Sequence, residues 1–135
     1  MKSKGFTLIE LMVVLVIVAI LVAYAYPNYV GHMQRASRVD AQQMLSRGAQ
    51  VMERNASTNN TYLNLDGTTP TAATVFGSAT VSSGGSTVRY NMSLVATART
   101  YTLTATPVGG QASDVCGTLT INQAAQNTPN LAGCW

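Results

Sequence analysis

Residues 4–27 read KGFTLIELMVVLVIVAILVAYAYP, and this stretch decides how the rest of the chain is read. From Leu11 to Tyr26 there is no charge and no strong hydrogen-bonding group except two tyrosine hydroxyls, and Glu10 is the only charged side chain between Lys4 and His32. Phe6 to Tyr26 is 21 residues, near the ~20 that a spanning helix needs. A carboxylate at the centre of a membrane helix costs roughly 2.5–3.5 kcal/mol on insertion scales, so a Glu at the head of this run needs a reason. A local reason exists, because Thr7-Leu8-Ile9-Glu10 fits a capping box, with Thr accepting from free amides and Glu reaching back three residues. Lys2 and Lys4 form a basic leader, but no small-x-small cleavage pattern follows the apolar run. The apolar segment is therefore expected to persist, with the leader on the cytoplasmic side.

A basic leader ending in Gly5, then Phe6, then Glu10 five residues after the Gly, then an apolar run, resembles the type IV prepilins and pseudopilins. The resemblance implies that a dedicated prepilin peptidase cuts between Gly5 and Phe6 and that the new terminal Phe6 is N-methylated. It also implies a filament-core role for Glu10, whose carboxylate answers the terminal amine of a neighbouring subunit. A buried carboxylate needs such a partner. The resemblance extends to Pro27, which lacks an amide donor and is expected to end or kink the apolar segment. Where many members carry a mid-segment Gly, this chain has Ala19. Tyr24, Tyr26 and Tyr29 suit either a membrane–water interface or a helix bundle.

From Asn28 to about Asn55 the pattern is amphipathic. Val30, Met33, Ala41, Met44, Leu45 and Met52 recur at helical spacing with one gap at Ser37, while Arg35, Asp40, Gln42, Arg47 and Glu53 lie mostly elsewhere on the wheel. A single helix from Phe6 to Asn55 would be on the order of 75 Å long, with its hydrophobic half projecting. Residues 55–85, rich in Ser, Thr, Asn, Ala and Gly, predict a surface loop with one short strand near Thr74–Val81. Asn59-Asn-Thr and Asn91-Met-Ser match the N-glycosylation pattern, which is too short to carry an argument. Beyond Thr87, Val88, Tyr90, Met92 and Leu94 alternate with polar residues, as do Tyr101, Leu103 and Ala105, with a hairpin linker at Ala96–Arg99. Leu119 and Ile121 give a further strand. The resulting expectation is an α+β type IV pilin fold, with a long N-terminal helix packed on an antiparallel sheet of three or four strands. The divisions are a leader (1–5), an apolar helix (6–27), its amphipathic continuation (28–55) and a β head (56–135).

Cys116 and Cys134 enclose 17 residues. On an exported domain two cysteines pair more often than they bind metal, and zinc spacing is absent. The family resemblance makes their bridge the boundary of a C-terminal loop. The segments YTLTATP, DVCGTLTI and the terminal GCW resemble minor pilins of the PilE type.

Removing the leader lysines leaves six Arg against five acids. This gives at best a helix stripe (Arg35, Arg38, Arg47, Arg54) rather than a dense nucleic-acid patch, and a solvated helix face is the preferred reading of it. With one His, no nucleophile–base set, no phosphate loop and no metal spacing, the sequence reads as non-enzymatic, without cofactor or metal.

The resemblance implies a structural subunit, a minor pilin, supporting twitching motility, adhesion or DNA uptake. Its partners would be other pilins through their N-terminal helices, the prepilin peptidase and the inner-membrane assembly machinery. It would sit in the inner membrane before assembly and in an extracellular pilus afterwards. Two alternatives stand beside it. One is a type II secretion pseudopilin, disfavoured by the cysteine pair and by the presence of only Asp114 near a calcium-loop position. The other is a pilin whose head captures DNA or a host receptor through Arg89, Arg99 or the helix arginines.

Overall fold

The computed structural model describes residues 5–83 and 86–135, and the side chains of residues 27, 28 and 83 lie outside that description. The leader residues Met1–Lys4 and the side chain of Pro27 therefore fall outside it. One helix, α1, spans Leu8–Asn59. Its start is set by Thr7, whose hydroxyl accepts the Glu10 amide at 3.3 Å while the Thr7 carbonyl accepts the Leu11 amide at 3.2 Å. This is the Thr half of a capping box. The helix continues through position 27 rather than ending there. It stops four residues later than expected. Asn60 adopts φ 56°, and its amide closes on the Ala56 carbonyl at 2.8 Å, a left-handed stop that Asn tolerates.

The chain forms two units, residues 1–33 and 34–135. In the first, the apolar side chains of α1 are uncovered. Leu8, Ile9, Leu11 to Val18 and Ile20 to Val22 include no buried residue, and the helix is long and apolar enough to cross a membrane.

In the second unit the same helix is covered. Five antiparallel strands form a meander in the order β1 (Thr80–Ser83), β2 (Thr87–Ala96), β3 (Tyr101–Pro107), β4 (Leu119–Asn122) and β5 (Asn127–Thr128). The β2–β3 hairpin and the Leu119–Ile121 strand are where the alternation places them. The fifth strand is the two-residue β5, and the short strand expected near Thr74–Val81 lies further on, as β1, bulged between Val81 and Ser82. The expected strand at Thr74–Val81 is corrected. Ala72–Phe76 is a short helix, α2, because the Thr71 hydroxyl caps the Thr74 amide and Gly77 closes it at φ 78°. Strand begins only at Thr80.

One face of the sheet lies on α1. Tyr90 and Met92 from β2, Leu103 and Ala105 from β3 and Leu119 from β4 close over Ala41, Leu45 and Met52 of the helix, with Val75 and Val81 at the side. Fully burying each large apolar side chain contributes about 1.5–3 kcal/mol, so this seam holds the head. At Gly48 an added Cβ would stand 2.5 Å from Phe76 Cε1 and 3.1 Å from Leu103 Cδ1. The absence of a side chain there lets the Phe76 ring lie against the helix backbone.

Candidate functional site

Two sites follow from the sequence, one at the head of α1 and one at the C-terminal loop. At the first, Gly5, Phe6 and Glu10 are all exposed. Phe6 precedes the helix, and Glu10 sits in its first turn with its amide held by Thr7. A carboxylate in a first turn is favoured by the helix dipole. That contribution falls short of explaining a Glu inside a run of exposed aliphatic side chains.

The second site is built around a pair that sequence reasoning missed. Arg38, read as part of a solvated stripe, is buried against Asp114. Its Nε donates to Asp114 Oδ2 at 3.0 Å and its Nη2 to Oδ1 at 2.5 Å, a two-pronged contact, while Nη1 donates to the Gly133 carbonyl at 2.9 Å. Asp114 receives three further donors: Gln111 Nε2 at 2.6 Å, the Tyr90 hydroxyl at 3.3 Å and the Cys116 amide at 3.1 Å. Gln111 Nε2 also reaches the Gln34 carbonyl at 3.0 Å. Burial pushes the Asp114 carboxyl up, but the Arg38 guanidinium, the Cys116 amide and Gln111 outweigh it, leaving the group below its ordinary value. Burial likewise pushes the Tyr90 phenol up to about 12. Asp114 is thus not a candidate calcium ligand, since its oxygens are already committed within the protein. Among the described residues no cluster of three His, Cys, Asp or Glu could hold a metal.

The pair lies beside the disulfide. Cys116 and Cys134 are bonded, with Cα atoms 5.6 Å apart. Gln42 Nε2 donates to the Cys134 carbonyl at 2.5 Å. Helix α1 therefore grips both ends of the C-terminal loop, at Asp114–Cys116 through Arg38 and at Gly133–Cys134 through Arg38 and Gln42. Within the loop Leu119 is buried in the core while residues 123–128 and 130–133 are exposed, and the Trp135 indole donates to the Thr128 carbonyl at 2.9 Å.

The basic residues divide differently from the sequence reading. Arg35, Arg47, Arg54 and Arg99 are exposed. Arg89 is half-buried, with its guanidinium against Gly110, where an added Cβ would meet Nη1 at 2.8 Å. The expectation of an exposed Arg89 is corrected, and Arg38 is removed from the stripe.

Comparison with known proteins agrees with this architecture. Residues 1–26 match the family profile described as "Prokaryotic N-terminal methylation motif", and residues 27–120 match the one described as "Type IV minor pilin ComP, DNA uptake sequence receptor". Fimbrial protein EcpB of Eikenella corrodens is 60% identical over 35 residues, 26% of this chain and 22% of that protein. The type IV narrow pilus major component PilA5 of Thermus thermophilus is 49% identical over 51 residues, 36% of this chain and 44% of that protein. The chain thus matches less than half the length of either curated relative. Among solved structures, a type IV pilin from Shewanella oneidensis is 31% identical, with a TM-score of 0.54 over 76% of this chain and 97% of that one. The minor pilin PilV of Neisseria meningitidis, 20% identical with a TM-score of 0.50 over 71% of this chain and 85% of that one, shares the fold. With a long N-terminal helix, an antiparallel sheet, a C-terminal disulfide and a family match covering residues 27–120, the chain belongs to the type IV pilins, within the minor-pilin family described as ComP.

Proposed function

We propose that the chain is a structural, non-catalytic subunit of a type IV pilus. The observation that carries this reading is the uncovered apolar surface of α1 before residue 27, on a chain whose residues 27–120 match a minor-pilin family. Such a surface is stable only in lipid or against other apolar helices. The inner membrane would hold it before assembly, and the α1 helices of neighbouring pilins would cover it in an extracellular filament. Prepilin peptidase would cleave between Gly5 and Phe6, Phe6 would be N-methylated, and Glu10 would pair with the terminal ammonium of the next subunit. Pro27 would sit where the membrane-held part of the helix gives way to the part carrying the head. The inner-membrane assembly machinery is the remaining partner, and motility, adhesion and DNA uptake are the processes such a filament would serve. The match to pilins sets this reading ahead of a secretion pseudopilin.

The test is to shear filaments from cells producing the full chain and read its N-terminal peptide by mass spectrometry. A peptide beginning at methylated Phe6 in the sheared fraction is the expected result. A processed chain retained wholly in the membrane overturns the reading.

A second reading, direct DNA capture, is favoured by the description of the matched family. Arg35, Arg47, Arg54 and Arg99 are the exposed cations available for it. Binding that disappears between 50 and 150 mM salt, regardless of sequence, would reduce it to the generic phosphate term. Retention of a sequence preference at the higher salt supports it.

A further inference from the structure

Glu53 lies on α1 roughly 22 Å beyond Arg38, at 1.5 Å per residue, and belongs to a second cluster of titratable groups. The Tyr62 hydroxyl donates to both of its carboxylate oxygens, at 3.1 and 3.2 Å. The Tyr101 phenol lies against the same carboxylate. Burial first, and Glu53 second, push it up, and the same two causes raise Tyr62. Both phenols therefore stay protonated beside Glu53. The rings meet edge to face, with centroids 4.9 Å apart and planes at 71°, a favoured arrangement. Each tyrosine is also pinned from outside the cluster. The Tyr62 amide donates to the Ala98 carbonyl, and the Tyr101 amide to Gln123 Oε1, both at 3.3 Å. Glu53 itself is exposed and makes no ion pair; among the described residues the one ion pair is Arg38–Asp114.

Beside this carboxylate is a hollow of about 370 Å³, walled by Ala49, Gln50 and Glu53 of α1, Tyr101 of β3, Ile121 of β4 and Ala125 of the turn after β4. Its lining is mostly apolar, Glu53 is its one charged group, and no cation lines it. Ala49 and Gln50 precede Glu53 by one helical turn, so the three share a face. The Ala125 wall is held against its own preference. Its φ is 54°, in the left-handed region that disfavours a residue with a Cβ. Asn122 fixes it there: its carbonyl accepts the Ala125 amide at 2.9 Å, and its Oδ1 accepts the Ala124 and Gln126 amides, both at 3.0 Å. Strain of this kind persists only where the surroundings over-determine it, and it collects at ligand sites.

We propose that this hollow binds a small aliphatic amine, its ammonium on Glu53 and its carbon chain along Ala49, Ile121 and Ala125. Hydrogen bonds from a cation to a carboxylate are the strong ones. Tyr62 already aims Glu53, so little ordering is left to lose on binding. The apolar walls favour a cation that carries hydrocarbon. A bare divalent ion fits poorly, because it takes roughly six or more oxygen ligands and Glu53 is the only carboxylate lining the hollow. An anion, a nucleic-acid phosphate included, is repelled by it. At about 30 Å³ per water-sized unit, the hollow takes a molecule of roughly a dozen non-hydrogen atoms whole. The amine is therefore a free ligand rather than the tip of a lysine from another chain.

The experiment titrates the full chain, in non-ionic detergent, with pentylamine and follows the backbone amides by NMR. Saturable shifts confined to Gln50, Glu53, Tyr101, Gln123 and Ala125 are expected, with a dissociation constant on the order of 1 mM, the range that a ligand of this size supports. Ethylamine should bind about tenfold more weakly, since it lacks the methylenes that the apolar walls cover. Glu53→Gln should weaken pentylamine about tenfold or more. That variant keeps an oxygen for the Tyr62 hydroxyl, and unchanged shifts at Ala41, Leu45 and Leu103 report its fold. Equal binding of pentanol or pentanoate by the parent chain overturns the proposal whether or not the variant folds. A Glu53→Gln chain that binds as the parent does also overturns it, as does displacement of pentylamine by an equal concentration of calcium. Shifts confined to residues 8–26 mean amine dissolved in the micelle and count against it equally. Binding of Nα-acetyl-lysine amide without binding of pentylamine overturns it in favour of a lysine from a partner protein.

Discussion

Residues 8–26 and 34–59 lie in one continuous helix, yet they solve the problem of apolar surface in opposite ways. In the second stretch Ala41, Leu45 and Met52 are buried to within 1% by strands of the same chain. In the first, Leu11 to Val18 remain about half exposed or more, with nothing from their own chain over them. Folding thus completes the second stretch and leaves the first unfinished, to be completed by lipid or by other chains. Substitutions in the head should therefore be read by stability. Substitutions near Glu10 should be read by assembly.

The sharpest way to break the head is at its buried charges. Asp114→Ala leaves the Arg38 guanidinium without its carboxylate, and removing one partner of a buried pair costs about 3–5 kcal/mol. The loss should appear as a large drop in the head's unfolding midpoint in denaturant, with helical signal from the apolar segment retained in detergent. Replacing both residues with apolar ones, as in Arg38→Met with Asp114→Leu, should recover most of that loss. The pair also fixes a direction for acid sensitivity. Because the folded Asp114 carboxyl lies below its ordinary 3.8, its contribution is fully present above that value and is lost as pH falls through the lower folded value. Tyr90 acts at the other end. Its contribution is present below pH 10 and is lost as pH rises through about 12. A pH series of midpoints checks both limbs, and Asp114→Asn should flatten the acid one.

Next in size is the bridge. Opening a loop of this length removes about 3 kcal/mol in the chain-entropy model. Cys134→Ser should therefore lower the midpoint by somewhat less than Asp114→Ala, since Arg38 and Gln42 still hold the Gly133 and Cys134 carbonyls. Combining Cys134→Ser with Arg38→Ala removes both restraints on the loop. Its cost should depart from the sum of the two single costs, because they share a segment. Gly48→Ala comes below these. The added methyl must displace the Phe76 ring, an overpacking that costs about 1–3 kcal/mol, measurable as a smaller midpoint shift with the disulfide intact.

How much of this was legible in the sequence depended on whether a residue's role followed from its own periodicity. The apolar run, the amphipathic continuation and the β2–β3 hairpin were readable because each repeats a pattern over several turns or strand pairs. β5 is two residues, Asn127 and Thr128, with no alternation to detect; it exists because β4 offers an edge. α2 was mistaken for strand because Thr74, Val75 and Phe76 favour strands, while Thr71 and Gly77 cap a single helical turn. Arg38 is the instructive miss. It falls at the spacing of Ala41, Leu45 and Met52, beside the apparent gap at Ser37. A charge in step with an apolar stripe is a sign of a buried group in need of a counter-ion. What the sequence could not supply was the partner, 76 residues away.

Glu10→Gln tests the comparison where the expected effect on stability is smallest. The side chain is exposed, and its backbone amide, not its carboxylate, makes the Thr7 capping bond. The substitution keeps the shape, the helix start and every contact of residues 34–135. The head's midpoint should therefore move by no more than about 0.5 kcal/mol, the usual range for a surface site. Assembly should respond differently. Once neighbouring helices or lipid exclude water from the apolar stretch, a carboxylate and an ammonium attract far more strongly than in water, and an amide cannot replace that attraction. The variant should accumulate as a processed, folded, membrane-held chain with much less in the sheared filaments. If it entered filaments as well as the parent does, the charge at the head of the run would have no assembly role, leaving the Thr7 cap and the helix dipole as its only physical context.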